Sequence, residues 1–417
     1  MLPRHAASGR SAAFAWILLD WGASGFSTIL ITLVVAYAER VVFADSAWGV
    51  AGGVVWAWLM AAAMLASAVL APFLSAHADR THGHKAWLLI ATAVGAGACL
   101  VLAAVPPAAR LAVAAAIVVA AVGFDMAQIF TGSLLPRIAQ GTAADRLSAA
   151  GFGAGYLGGA LALVLATAVV THRDRLGLSA PDALRASFIV MGGWWLLFSL
   201  PAAFTRLGDG RAADHAATSA GDLVGFARTL GRGQAGDLGR ILLGAVLVLG
   251  AVQTAIAQFS SLALERFQLD SAALVRLVLL VQFVALPGAL FMGWLSIRWS
   301  RAGALAVCVA GWLTVIVLAA FVQNPRQLTA LAVLLALVLG GVQSVIRATV
   351  AVRAPEGRFG ATFGLLQVGT KLAGCVASLL FGAAYAASGE SRAGLIVLFG
   401  QLALGAWVVR ENRSRPG

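Results

Sequence analysis

Five charged side chains stand inside long apolar runs of this sequence, where a charge is costly unless it has a partner or a task. They are Asp20, Asp125, Arg276, Arg347 and Lys371. A charge at the centre of a membrane helix costs roughly 2.5–3.5 kcal/mol on insertion scales, so such groups normally face a cavity or each other. These five residues are therefore the first candidates for binding and proton chemistry.

Asp125 is the strongest candidate for proton coupling or cation contact, because a carboxyl group in the middle of an apolar run can load and release a proton. Gln128 lies three residues further on and shares its helix face. Lys371 is the matching cation and a candidate receptor for a solute carboxylate. The alternative is a permanent structural ion pair that involves Asp125 or Lys371, because buried charges are usually paired.

The other three charges lie nearer the ends of their apolar runs. Asp20 is a candidate for substrate or proton coupling, with bonding to helix backbone as the alternative. Arg347 is assigned to a gate more than to substrate binding, although it is close enough to the interface to extend its side chain there. Arg276 is interpreted as a headgroup contact, and Trp16 has the position of an interface anchor.

Neutral polar side chains within the apolar runs form a second set of candidates. Lipid offers them no hydrogen-bond partner, so they either line a cavity or join helices. Assigned to solute or proton coupling are Tyr156, Gln253, Gln282 and Gln343; Gln258 and Gln367 have the same character. The histidines near residues 77–84 lack carboxylates or thiols at ligand spacing, so no metal and no cofactor is expected.

The composition indicates lipid as the solvent. Of the 417 residues, 61% are hydrophobic and only 11% are charged, which leaves too little polar surface for a soluble domain of this size. The net charge of +12 is spread singly over short loops, without the basic stripe or stacking platform of a nucleic-acid-binding protein. The three cysteines are interpreted as small packing residues.

Twelve apolar runs of membrane-spanning length fill the sequence. The predicted spans are 13–38, 48–74, 86–105, 111–134, 148–171, 185–205, 241–264, 272–297, 302–322, 328–350, 359–386 and 393–410. The predicted organisation is a six-helix half over 1–205, a cytoplasmic linker over 206–240 and a second six-helix half over 241–417. The fold class is therefore all-α, with twelve transmembrane helices.

The distribution of basic residues predicts the orientation in the membrane. Both termini, the central linker and alternate loops hold 18 Lys and Arg residues, against 8 on the opposite side. Because basic residues are retained on the cytoplasmic side, both termini are expected in the cytoplasm. The protein is expected to be an integral, multi-pass protein of a bacterial inner membrane.

The two predicted halves also repeat each other. Phe152-Gly153 in the fifth span is echoed by Phe363-Gly364 in the eleventh, and the loop 75–85 is echoed by the loop 293–303. A repeat of six helices in the same orientation is typical of two pseudo-symmetric halves around a central cavity.

The loop 75–85, with the pattern Ser-x-x-x-Asp-Arg-x-x-Gly-His-Lys, resembles the loop-2/3 signature of the major facilitator superfamily. The resemblance implies a cytoplasmic gate in which Asp79 accepts from helix N-terminal amides while Arg80 and Lys85 pair across a small interface. Arg298 occupies the corresponding basic position in the second copy. Ile297 replaces the acidic residue there, which predicts a weakened latch in the second half.

Longer motifs resemble the vacuole-effluxer (autophagy-related) branch of this superfamily and its bacterial relatives. They begin at Asp20 (DWGAS), Gly151 (GFGAGYLGG), Val281 (VQFVALPGA), Gly340 (GGVQSVIR) and Gly369 (GTKLA). The resemblance implies the major facilitator fold and, by analogy with fungal vacuolar efflux, transport of amino acids or similar solutes.

The expected function is secondary active transport of a small polar solute by alternating access, with protons as the expected coupling ion and a monomer as the working unit. No nucleotide-binding GxxxxGK[ST] motif occurs in the sequence. The alternatives are an exporter of lipophilic or cationic drugs and a transport-dead membrane sensor or partner-binding protein. An enzyme is not expected, because no cluster of catalytic residues lies at one membrane face.

Overall fold

The computed structural model describes residues 4–44, 52–207, 220–231, 237–266, 271–388 and 391–410. All regular elements in these residues are helical. Twelve helices are long and apolar enough to cross a membrane, as the sequence predicts, and we number these spans 1 to 12 in chain order. Parts of the predicted linker, 208–219 and 232–236, lie outside the described residues.

Span 1 begins as the α-helix Arg4–Ile29 and continues through π-helical turns at Leu30–Val34 and Ala38–Val42. Spans 2 to 12 are, in order, Gly52–Thr81, His84–Ala104, Arg110–Ile138, Thr142–Thr171, Ala180–Phe204, Leu238–Arg266, Ser271–Arg298, Arg301–Phe321, Pro325–Arg353, Phe359–Ser388 and Ser391–Arg410. A short helix, Ala220–Gly231, lies between spans 6 and 7.

The loops between spans 2 and 3, 4 and 5, 8 and 9, and 10 and 11 lie on one side of the bundle, which we call the basic face. Span 2 runs to Thr81, seven residues beyond its predicted end, and span 5 begins at Thr142, six residues before its predicted start. Both helices continue past the apolar run, because backbone hydrogen bonding does not require hydrophobic side chains. This extension places Asp79 and Asp145 on helices.

Span 5 packs closely on span 1 through its glycines. A Cβ added at Gly155 would lie 2.6 Å from the Ser24 hydroxyl oxygen, and one at Gly159 would lie 2.6 Å from the Thr28 hydroxyl oxygen. The glycine-rich start of span 5 therefore serves helix packing, since small residues allow two membrane helices to approach each other.

Spans 1–6, which we call the N-terminal group, pack on spans 7–12, the C-terminal group. Span 5 packs against spans 8 and 10, and span 11 packs against spans 2 and 4. In the part of the chain that the structure describes, no extensive contact joins spans 1 and 7. The polar contacts between the two groups are concentrated at the basic face and at mid-depth.

Candidate functional site

Asp125 and Lys371 meet at mid-depth between the two groups of helices. Asp125 is near the middle of span 4, and Lys371 is near the middle of span 11. The Lys371 Nζ lies 3.0 Å from Asp125 Oδ1; the aspartate side chain is 7% exposed and the lysine side chain is 21% exposed. The two charges therefore form an ion pair in which the ammonium group remains partly accessible.

Amide groups complete this mid-depth cluster. The Gln367 Nε2, one helical turn before Lys371, donates to Asp125 Oδ1 over 3.4 Å. Gln128 is half-buried on span 4, on the helix face of Asp125. The second carboxylate oxygen of Asp125 has no hydrogen bond to any described residue.

The remaining amide candidates have different surroundings. Gln282 is buried on span 8, and its Nε2 donates to Thr28 Oγ1 on span 1 over 2.7 Å, so it joins the two groups of helices. Gln343 is half-buried on span 10 without a side-chain hydrogen bond to a described residue, and Gln253 is exposed on span 7. The side chain of Gln258 lies outside the described set.

Asp20 and Arg347 form a second ion pair between the two groups, on spans 1 and 10. The Arg347 Nη2 lies 2.7 Å from Asp20 Oδ2, and its Nη1 donates to Asp20 Oδ1 over 3.1 Å. Ser148 on span 5 accepts from Arg347 through its hydroxyl and its carbonyl oxygen. The guanidinium thus contacts both carboxylate oxygens, and the contact from Nη1 to Oδ1 is the one with hydrogen-bond geometry.

Two aromatic rings cover the Arg347 guanidinium. Its central carbon lies 4.5 Å from the Trp16 ring centroid and 4.0 Å from the Phe152 ring centroid. Trp16 is fully buried, and its indole N–H donates to the Thr131 carbonyl oxygen. Its predicted role as an interface anchor is therefore wrong, because span 1 begins before the apolar run and carries Trp16 into the bundle.

Glycine and tyrosine positions next to this pair are also tightly packed. A Cβ at Gly151 would collide with the Asp20 carboxylate and lie 2.9 Å from Arg347 Nη2. Tyr156 is half-buried, and its ring packs against Gly340 of span 10. The structure places Tyr156 between spans 5 and 10, without a hydrogen bond to a described residue.

At the basic face, Asp79 of span 2 binds the start of span 11. Its two carboxylate oxygens accept from the backbone N–H groups of Gly360, at 2.9 Å, and Ala361, at 2.8 Å. The His84 Nε2 lies 3.1 Å from Asp79 Oδ1, and the His84 Nδ1 lies 2.8 Å from the Ser133 hydroxyl. We call this contact the Asp79 latch; it places a carboxylate where free amides and the helix dipole favour negative charge.

A second latch joins span 5 to span 9 at the same face. Arg301 donates from Nε to Asp145 Oδ1 over 2.9 Å and from Nη2 to Asp145 Oδ2 over 2.7 Å. The Ser296 hydroxyl also donates to Asp145. The absence of an acidic residue at position 297 predicts a weakened contact at this place. In the structure the acidic residue of the contact is Asp145 on span 5, and the basic residue is Arg301 at the start of span 9. We call this contact the Asp145 latch.

Replacing Arg301 with alanine is expected to open the basic face. The variant loses hydrogen bonds to a charged group, worth about 1.5–3 kcal/mol, so the open fraction should rise about ten- to a hundredfold. The measurement is the rate at which N-ethylmaleimide labels a cysteine placed at the buried Ser75, which packs against Gly364 of span 11. Cys375, which is exposed, is replaced by serine beforehand.

The matched control is Arg298→Ala, which removes an exposed arginine of the same loop without a described partner. Labelling of this variant should equal that of the background. Asp145→Asn, which keeps an oxygen acceptor without the charge, should give an intermediate rate. If Arg301→Ala is labelled no faster than Arg298→Ala, the Asp145 latch does not hold the face closed.

Three residues assigned to the gate from sequence do not lie between the two groups of helices. Arg80 is exposed, and its Nη2 lies 3.3 Å from His77 on the same helix. The Lys85 Nζ donates to the Thr205 carbonyl oxygen at the end of span 6, within the N-terminal group. Arg298 is exposed as described above. Arg80 and Arg298 therefore extend into water, and Lys85 ties span 3 to the end of span 6.

Residues of the site that sequence reasoning missed lie in two places. Asp145 and Arg301 were missed because the predicted spans, 148–171 and 302–322, begin after them, so both were assigned to loops. Ser148 is a common residue in an apolar run and carries no signal of its own. His84 was dismissed with the other histidines, yet it is buried against Asp79.

The profile of the family described as vacuole effluxer Atg22-like matches residues 55–415. The MFS-type transporter YxiO of Bacillus subtilis (strain 168) is 25% identical over 396 residues, which cover 92% of this chain and 91% of that protein. The relative is bacterial, and the described part of this chain has twelve helices that are long and apolar enough to cross a membrane. The protein is therefore an integral, multi-pass protein of the bacterial plasma membrane.

Solved structures show the same fold. The crystal structure of FucP, a major facilitator superfamily transporter in the outward conformation, superposes with a TM-score of 0.74 at 14% identity, covering 97% of this chain and 99% of that one. The proton:xylose symporter XylE gives a TM-score of 0.73 at 15% identity, covering 97% and 96%. The chain belongs to the vacuole effluxer Atg22-like family of major facilitator superfamily proteins, which are secondary transporters and not enzymes.

Proposed function

We propose that this transporter moves a small polar solute with a carboxylate, such as an amino acid, in exchange for or together with protons. The observation that carries the proposal is the ion pair between Asp125 and Lys371 at mid-depth between the two groups of helices. A charge pair in that position is costly unless it is used, and a transporter binds its solute at the midplane between its two halves.

The ion pair between Asp125 and Lys371 can exchange one of its members for a solute. A solute carboxylate can take the place of Asp125 on the partly accessible Lys371 ammonium. Asp125 then lacks its counter-ion and gains a proton, because an unpaired carboxylate in a low-dielectric site favours its neutral form. The amides of Gln367 and Gln128 supply hydrogen bonds to a polar solute. Binding of the solute and binding of a proton are in this way linked through one carboxylate.

Closure of the basic face supports an alternating-access cycle. The Asp79 latch, the Asp145 latch and the Asp20–Arg347 pair all join the two groups at that side. In the proposed cycle the halves 1–205 and 241–417, linked by 206–240, rock about the mid-depth pair. The basic face is the cytoplasmic side in this proposal, with both termini in the cytoplasm, and the latches hold that side closed in the present conformation.

Paired opposite charges favour a zwitterionic solute over a lipophilic cation, because a zwitterion can contact both Asp125 and Lys371 when these two residues separate. An uncharged aromatic cavity would instead suit a lipophilic drug. The test is solute flux into proteoliposomes under an imposed pH gradient, with a panel of amino acids, small organic acids and cationic drugs. We expect an amino acid or similar zwitterion to move with a measurable proton flux. Movement of drugs alone would favour export, and no movement under any gradient would favour a sensor.

A further inference from the structure

A separate cavity of about 380 Å³ opens at the basic face. Spans 7, 9, 10 and 12 supply most of its wall, and the start of span 5 closes one side. Its volume falls in the range of small-molecule sites, about 300–1,000 Å³. It contains neither Asp125 nor Lys371, so it is distinct from the mid-depth pair of the proposed function.

The lining combines apolar walls with an excess of positive charge. Ile241, Val248 and Leu305 are among the apolar side chains that form the wall, and Arg301 and Arg353 supply two guanidinium groups. Asp145 is the acidic side chain of the described lining. The cavity therefore carries one net positive charge, and an apolar body with a single negative charge matches it.

Arg301 and Arg353 both have N–H donors without a hydrogen-bond partner among the described residues. Arg301 uses Nε and Nη2 on Asp145 and the Gly141 carbonyl oxygen, which leaves its Nη1 without a partner among the described residues. Arg353 is exposed and has no ion pair or side-chain hydrogen bond to a described residue. Planar guanidinium groups with free N–H donors bind carboxylates and phosphates well.

We propose that this cavity binds an organic anion with one charge and an apolar body, and that the bound anion holds the basic face closed. Thr142 and Asp145 of the lining belong to the N-terminal group, and the rest of the lining belongs to the C-terminal group. The complete cavity exists only while the two groups are in contact at this face. A ligand that contacts both groups therefore stabilises the closed state in proportion to its difference in affinity.

The ligand chemistry fits a soluble carboxylate of medium chain length or the headgroup region of an anionic lipid. Octanoate is the probe, added to the full chain in phosphatidylcholine nanodiscs, and the readout is maleimide labelling of the Ser75→Cys, Cys375→Ser protein. We expect octanoate to slow labelling several-fold in a saturable manner. Octanol has the same apolar body without the charge, so it should act only at much higher concentration.

Two variants test the site itself. Arg353→Ala should raise the octanoate concentration needed for half of the effect about tenfold, because a charge-assisted hydrogen bond is lost. Ala302→Phe, at an exposed position of the lining, should abolish the effect by filling the cavity. Arg298→Ala should leave it unchanged.

A second labelling experiment, in nanodiscs where phosphatidylglycerol replaces phosphatidylcholine, identifies the source of the anion. Slower labelling that depends on Arg353 in those nanodiscs, with no effect of octanoate, assigns the site to lipid. An octanoate effect that depends on Arg353 assigns it to a soluble anion. The proposal is overturned if neither anion slows labelling, or if the effect survives in both Arg353→Ala and Ala302→Phe. Loss of solute transport would not bear on these outcomes, because the labelling assay needs no substrate.

Discussion

Replacing Asp125 with asparagine is expected to abolish uptake driven by a proton gradient while solute exchange between the two sides of the membrane continues. The substitution removes the group that gains and loses the proton but keeps the shape and one oxygen acceptor. Without a titrating carboxylate the solute can still bind Lys371, and its movement no longer depends on protons. The measurement compares accumulation under a pH gradient with exchange at equal pH in proteoliposomes.

Variants of both partners separate the chemical roles. Asp125→Glu keeps the carboxyl group and should retain part of the accumulation. Lys371→Gln should weaken solute binding about tenfold or more, because a hydrogen-bonded charge is lost. The double variant Asp125→Asn, Lys371→Gln should be more stable than Asp125→Asn alone, because an unpaired buried charge is avoided. Accumulation by Asp125→Asn equal to that of the unsubstituted protein would show that the pair is only structural.

Replacing Arg347 with alanine is expected to have the largest effect on the conformational balance. It leaves Asp20 as a buried carboxylate without a counter-ion, a loss of about 3–5 kcal/mol, and removes the contacts with Trp16 and Phe152. Each 1.4 kcal/mol is a factor of about ten in an equilibrium, so the closed basic face should lose more than a hundredfold in relative population. Labelling of a cysteine at Ser75 should become correspondingly faster.

Two further variants distinguish loss of the gate from loss of folding. Arg347→Lys keeps the charge but cannot make the two-point contact with Asp20, so its labelling rate should lie between those of the parent and Arg347→Ala. The pair Asp20→Asn, Arg347→Gln removes both charges and should recover thermal stability relative to Arg347→Ala. A labelling rate in Arg347→Ala that equals the parent rate, in a folded protein, would contradict the gate assignment.

The sequence alone indicated that this protein lies in lipid, and it predicted the twelve candidate membrane spans of the described residues. Hydropathy is a property of consecutive residues, so all twelve spans were predictable, with errors only where helices extend beyond the apolar run, as at Thr81 and Thr142. The cost of a charge in lipid is also local, and it singled out Asp20, Asp125, Arg347 and Lys371 before any contact was known.

Only the tertiary structure decided which of these charges meet. Asp20 is 327 residues from Arg347 in sequence, and no local pattern states that these two form one pair while Asp125 and Lys371 form the other. The same applies to Asp145 and Arg301, whose types alone predict only solvated loop charges. Which charges pair depends on how the two groups of helices pack. That packing depends on small residues such as Gly151 and on close contacts between many helices. No single segment of the sequence encodes these contacts.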